Sequence, residues 1–264
     1  MEERTFRTDG CELRYWVRPA DSRKWIIFLH GAGCDHLMFE RQFPAMPEDY
    51  NIVAWDARGH GQSRLDPGKR FNYQDMLKDF QRLTEHYNME DIVLIGQSMG
   101  GNLSQDLLAQ YPERIRKVVL IGCTDNAQSL SFSERVQLSL AIPTLRLIPW
   151  TSLAKLSGDA SGETEYAKAY TRKAIMSLGK QRFVDVMKTL RIALRHDPQY
   201  TFPIPVLLIL GEKDKTGNIV KAMSGWPRKD RNAVLKLIPN AGHNANMDNP
   251  DLVNRHIINY LAQP

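Results

Sequence analysis

The sequence predicts an α/β fold: a doubly wound, mostly parallel sheet with an inserted helical cap. Three observations predict it. Short, nearly continuous apolar runs recur along the chain, amphipathic helical stretches fall between them, and one long segment, 124–201, holds no strand-like run. Strands apolar on both faces belong to a parallel sheet covered by helices on both sides, and strand–helix alternation implies right-handed crossovers.

The first element, 11–17, alternates Leu13, Tyr15 and Val17 with Glu12, Arg14 and Trp16, which reads as an antiparallel strand with one wet face. The buried-strand runs follow at Trp25–Leu29, 51–55, 91–95, 117–121, 206–210 and Ala233–Ile238. Helical spacing places Met76, Leu77, Phe80, Leu83 and Tyr87 on one face of 72–87. It does the same for Leu103, Leu107, Leu108 and Tyr111 in 98–111, and for Leu252, Val253, Ile257, Tyr260 and Leu261 in 248–261. Between the fourth and fifth buried runs come helical patterns at 132–142, 164–178 and 182–195, punctuated by Pro143, Pro149 and the Ser/Gly stretch 157–162. This is far longer than the usual connection of about 2–6 residues. Pro198, Pro203 and Pro205 mark its exit, because proline cannot continue a helix. The expected organisation is a core at 1–123 and 202–264 and a cap at 124–201 that roofs a pocket, with Leu138, Leu140, Ile142, Leu145, Leu147, Ile148 and Trp150 shared between packing and substrate.

Composition removes other classes. The chain has 264 residues, 42% hydrophobic and 25% charged, enough for a sizeable core. No apolar run approaches the ~20 residues of a membrane span. The N-terminus carries acidic residues and lacks the apolar stretch of a signal peptide. Cys11, Cys34 and Cys123 are odd in number and form no CxxC pair, so reduced thiols in the cytoplasm are expected. The net charge of +5 is spread over isolated residues and pairs, whereas nucleic-acid binders concentrate charge on one face or arm. Neither a nucleic-acid nor a membrane partner is expected, nor a metal or cofactor. Most of the excess charge lies in the cap, a weak pointer to anionic substrates.

The chemistry-bearing residues stand at the carboxyl ends of strands, where open α/β sheets build their sites. Gly96-Gln97-Ser98-Met99-Gly100 lies between a strand and a helix. This G-x-S-x-G turn is so tight that only small residues fit two positions before and two after the serine, which is raised above the sheet on a strained backbone. After Trp25–Leu29 comes His30-Gly31-Ala32-Gly33, whose N–H groups can face an oxyanion. Ala32 and Met99 are the expected donors, with Gly33 as substitute for Ala32. Gly31, Gly33 and Cys34 are candidate substrate contacts, although a buried filler is the simpler role for Cys34 and for Cys123. Asp214 and His243 follow the last two strands, in the order expected with a nucleophile elbow, and supply an orienting acid and a base. Asp125 is the alternative acid. His30 and His60 read as structural. His36, His86, His196 and His256 sit in polar or helical contexts with no assigned role.

These motifs, together with Asp56-Ala57-Arg58-Gly59-His60-Gly61-Gln62-Ser63, resemble those of the α/β-hydrolase fold superfamily, of the capped serine hydrolase or esterase type. The resemblance spans nearly the whole chain outside the cap. It implies that Ser98, Asp214 and His243 form a triad cleaving a small or medium ester, thioester or lactone through an acyl-enzyme. It also implies that the 56–63 stretch is a structural turn. A serine nucleophile disfavours epoxide hydrolase and dehalogenase chemistry, which needs a carboxylate. The same triad could serve C–C bond hydrolysis, perhydrolysis or lyase chemistry, and a ligand-binding sensor on this scaffold is the alternative of another class.

Overall fold

The computed structural model describes residues 1–195, 197 and 199–263. His196 and Pro198 lie outside the described residues, as does the side chain of Leu138. Nine strands form one sheet: β1 Glu2–Thr8, β2 Cys11–Arg18, β3 Trp25–Leu29, β4 Asn51–Asp56, β5 Arg64–Leu65, β6 Ile92–Gln97, β7 Ile115–Ile121, β8 Val206–Gly211 and β9 Ala233–Ile238. The spatial order is β1-β2-β4-β3-β6-β7-β8-β9, with the short β5 against β2. β2 pairs antiparallel with β1, β4 and β5; from β4 through β9 every pairing is parallel. The chain builds outward to β4 on one side of β3, then crosses to β6 and builds outward on the other. The order therefore reverses between β3 and β6, and the crevice at such a switch point is where this architecture binds ligands.

Alternate residues of each buried strand serve opposite faces. In β3, Ile27 and Leu29 belong to the apolar cluster shared with α1 Tyr73–His86, α2 Met99–Gln110 and α7 Ile219–Lys229; Ile26 and Phe28 belong to the cluster on the other face, shared with the short α8 Ala245–Asp248 and with α9 Pro250–Leu261. The strand 11–17 has the expected wet face, but β1 covers its edge; the charge-rich 2–8 stretch gives no apolar alternation to announce it. β9 departs from the buried pattern. It is the edge strand, and Val234 and Leu237 are exposed.

Between β7 and β8 stand α3 Phe132–Leu147, α4 Trp150–Ser161, α5 Glu165–Leu178, α6 Lys180–Thr189 and a 3-10 turn at Leu190–Ala193. Two readings of proline and glycine are corrected here. Pro143 lies inside α3; it and Ser139 are exposed, so the carbonyl that loses its partner faces water. The 157–162 stretch is mostly helix. Gly158 sits where a Cβ would be 2.9 Å from Lys168 O, so it lets α4 and α5 pack closely. These helices carry their own small core of Leu153, Ala154, Ile175, Leu178 and Phe183.

Candidate active site

Ser98 begins α2 with φ +50° and ψ −113°, a left-handed conformation costing a non-glycine residue about 1–3 kcal/mol. Packing enforces it. A Cβ on Gly100 would lie 1.9 Å from Leu29 O, and one on Gly96 would lie 2.3 Å from Gly100 O, so α2 is pressed against β3 and β6. Ser98 N–H donates to Ile121 O at 2.9 Å, fixing the turn to β7. The hydroxyl thus stands at the positive end of a helix.

Asp214 follows β8 and His243 follows β9. His243 Nδ1–H donates to Asp214 Oδ2 at 3.0 Å, and both side chains are buried. Burial pushes the Asp214 carboxyl up, but the His243 hydrogen bond and charge and the Thr216 N–H outweigh it, holding the group below the usual carboxylate range. Asp214 is therefore an anion at neutral pH. The Nδ1 bond leaves Nε2 as the ring's free nitrogen. No hydrogen bond within 3.5 Å joins Nε2 to Ser98 Oγ among the described residues. Such contacts are commonly long until substrate binds. The alternative acid is elsewhere: Asp125 accepts from Lys229 Nζ at 2.9 Å and from Ala127 N–H at 2.8 Å.

At the end of β3, a Cβ on Gly31 would lie 3.4 Å from Ser98 Cβ, which brings this loop beside the serine. Gly31 N–H is spent on Met38 Sδ. Ala32 N–H and Met99 N–H have no acceptor among the described residues. Gly33, at φ +80°, lies under Ile175 and Phe183. Cys34 is buried in the core on the Phe28 face, and burial drives its thiol well above the usual range, so it is an inert filler. Cys123 is likewise buried, against Gly101.

A model of the alpha/beta hydrolase fold family matches residues 24–140, which hold the 56–63 turn, the Ser98 turn and the 30–33 loop. The solved structure of an esterase from Exiguobacterium antarcticum covers 100% of both chains with a TM-score of 0.84 at 18% identity. The chain has the α/β-hydrolase fold. A bromoperoxidase of Bacillus anthracis superposes on this chain with a TM-score of 0.85 at 20% identity, covering 99% of this chain and 100% of that one. An uncharacterized hydrolase of Bacillus subtilis is 26% identical over 272 residues, spanning 98% of this chain and 97% of its own.

Several polar groups of the chain hold the scaffold instead. His30 Nε2 accepts from Ala57 N–H at 2.9 Å and Nδ1–H donates to Gly31 O at 2.8 Å, so the ring is neutral and braces the loop. The 56–63 turn is tied by Ser63 Oγ–H to Asp56 O and Gln62 N–H to Asp56 Oδ2; the Arg58 guanidinium grips both oxygens of Asp79. His36 was given no role by its sequence context. It donates Nδ1–H to Asp56 Oδ1 at 2.8 Å and stacks on Trp16. Asp35, His36 and Asp56 lie close enough to share a cation, but their atoms are already engaged: Asp56 by His36 and Gln62, Asp35 Oδ1 by Leu37 N–H and Tyr170 O–H.

His60 is fully buried, and burial, with the nearby His30, pulls its pKa to about 3. In the unfolded chain it titrates near 6.5. Between these values only the unfolded state binds the proton, so stability falls as pH drops from about 6.5 toward 3, by roughly 3 kcal/mol at pH 4. Urea midpoints at pH 7, 5.5 and 4 should decline accordingly. The decline should be much shallower in His60→Gln; an equal slope in the variant would refute this assignment.

A cavity of about 480 Å³ is walled by Leu130, Met187, Leu190 and Leu194, with Thr124 and Arg191 among its polar groups; Ser98, Asp214 and His243 do not line it. Asn102 also lines it, one helical turn beyond Ser98, whose carbonyl accepts its N–H. No helix among the described residues is long and apolar enough to cross a membrane.

Proposed function

We propose that this α/β-hydrolase is a serine hydrolase that cleaves small or medium carboxylic esters, including thioesters and lactones, through an acyl-enzyme. The observation carrying this is the buried His243–Asp214 pair beside a serine held at φ +50° with two free N–H groups at hand. In this reading His243 Nε2 takes the Ser98 proton as Oγ attacks the acyl carbon. Asp214 keeps the ring oriented and offsets the imidazolium. Ala32 and Met99 N–H groups hold the oxyanion, the leaving alcohol takes the proton back, and water repeats the cycle to release the acid. The helices of 124–201 are the cap. The cavity that Asn102 lines is within the ~300–1,000 Å³ range of ligand pockets and is our candidate for the room one arm of the ester takes.

Labelling with a fluorophosphonate probe followed by peptide mapping tests this. A single adduct on Ser98, formed in the wild type and abolished in His243→Ala, is expected. No adduct, or one on another residue, would refute the assignment.

A further inference from the structure

The segment carrying His243 is fastened on both sides to the helical insertion. Asp248 accepts from Gly242 N–H at 2.8 Å and from the N–H groups of Glu163 and Thr164, at the start of α5. Asn244 N–H donates to Ser161 O, at the end of α4, at 2.6 Å. Through this contact runs a chain of buried amides. Gln97, the residue before Ser98, donates from Nε2 to the His243 carbonyl at 3.3 Å and to Asn244 Oδ1 at 3.0 Å. Asn244 Nδ2 in turn donates to Thr171 Oγ1, on α5, at 2.9 Å. All three side chains are buried. Gly31 of the oxyanion loop yields to the same amide: a Cβ there would meet Gln97 Oε1 at 2.1 Å.

We propose that Gln97, Asn244 and Thr171 are positioning residues, a relay through which α5 sets where His243 stands relative to Ser98. This rests on the reading of Ser98 and His243 as nucleophile and base. The Asp214 bond fixes the rotation of the His243 ring; the bond from Gln97 fixes its main chain against the elbow strand. Both hydrogens of the Gln97 amide are committed, so Asn244 must present its oxygen. Asn244 holds that orientation while its own amide nitrogen finds an acceptor, because a buried amide left unpaired is costly. That acceptor is a hydroxyl on the insertion. None of the three needs to touch substrate.

Thr171→Val keeps the shape and removes the acceptor; Thr171→Ser keeps the acceptor. With the full chain and a p-nitrophenyl ester, the valine variant is expected to lose about 10- to 100-fold in kcat and in the rate of fluorophosphonate labelling, with KM held within about twofold. The serine variant should recover most of that loss. Gln97→Glu, which cannot donate, should fall likewise, and the double variant Gln97→Glu/Thr171→Val should fall no further than the worse single. Multiplying losses, a serine variant no better than valine, or a change in KM with kcat held would overturn the relay. A wild-type chain that takes no label at Ser98 overturns the site assignment as well; a labelled wild type with an indifferent valine variant overturns the relay alone.

Discussion

Replacing Ser98 with alanine is expected to lower kcat on an ester substrate by about 10⁴- to 10⁶-fold while leaving the fold intact. Nucleophile and base act as one unit, so His243→Ala should cost about as much, and the double variant little more. The residual rate belongs to the oxyanion donors and to binding, which neither substitution touches. Ser98→Gly separates chemistry from strain. It loses the nucleophile equally, yet at φ +50° glycine carries no Cβ penalty, so the urea midpoint should rise, by about 1 kcal/mol in stability. A Ser98→Ala enzyme with undiminished turnover would remove the serine mechanism. A Ser98→Gly protein less stable than the wild type would remove the claim of strain at the elbow.

The second large effect is on stability. Gly100→Ala should cost about 3 kcal/mol or more, the upper end for overpacking, because the new methyl meets backbone, which cannot rotate aside. Its Cβ would sit 1.9 Å from Leu29 O and 2.4 Å from Leu29 C. The helix must then lift from β3, and the serine lifts with it, so activity is lost even in molecules that remain folded. Gly225→Ala is the control: Gly225 lies inside α7 with nothing within 4 Å, so alanine there should gain about 0.5–1 kcal/mol from helix propensity alone. Equal urea midpoints for Gly100→Ala and the wild type would show that the elbow is looser than the contact implies.

The candidate site was legible in the sequence wherever its geometry is local. Gly96 to Gly100 reads as an elbow because the close contacts that require glycine are made within one turn, and Asp214 and His243 each follow an apolar strand directly. What escaped notice depends on distant pairs. Thr171 and Asn244 are 73 residues apart and Gln97 and Asn244 are 147 apart, so no spacing rule links them. His36 meets Asp56 across a loop of the fold, and a lone histidine in a polar stretch carries no mark of that. Among the elements, β1 was hidden by its charges and α4 by Gly158, a residue that elsewhere would signal a break. β9 looked like a central strand because apolar content alone does not distinguish a centre from an edge.

The strand order divides the machinery at one place. The proposed serine and oxyanion donors come before the insertion, the proposed acid and base after it, and β7 and β8, which flank it, are parallel neighbours in the sheet. The insertion can therefore be treated as a graft. Its helices can be exchanged for others of different shape without disturbing any strand register, provided the replacement returns the chain to β8. In the proposed relay, what it must keep includes a hydroxyl where Thr171 stands and a helix start whose N–H groups meet Asp248, alongside the packing of Ile175 and Phe183 over Gly33. A new roof that omitted those would sit on a sound sheet and change selectivity at the expense of turnover.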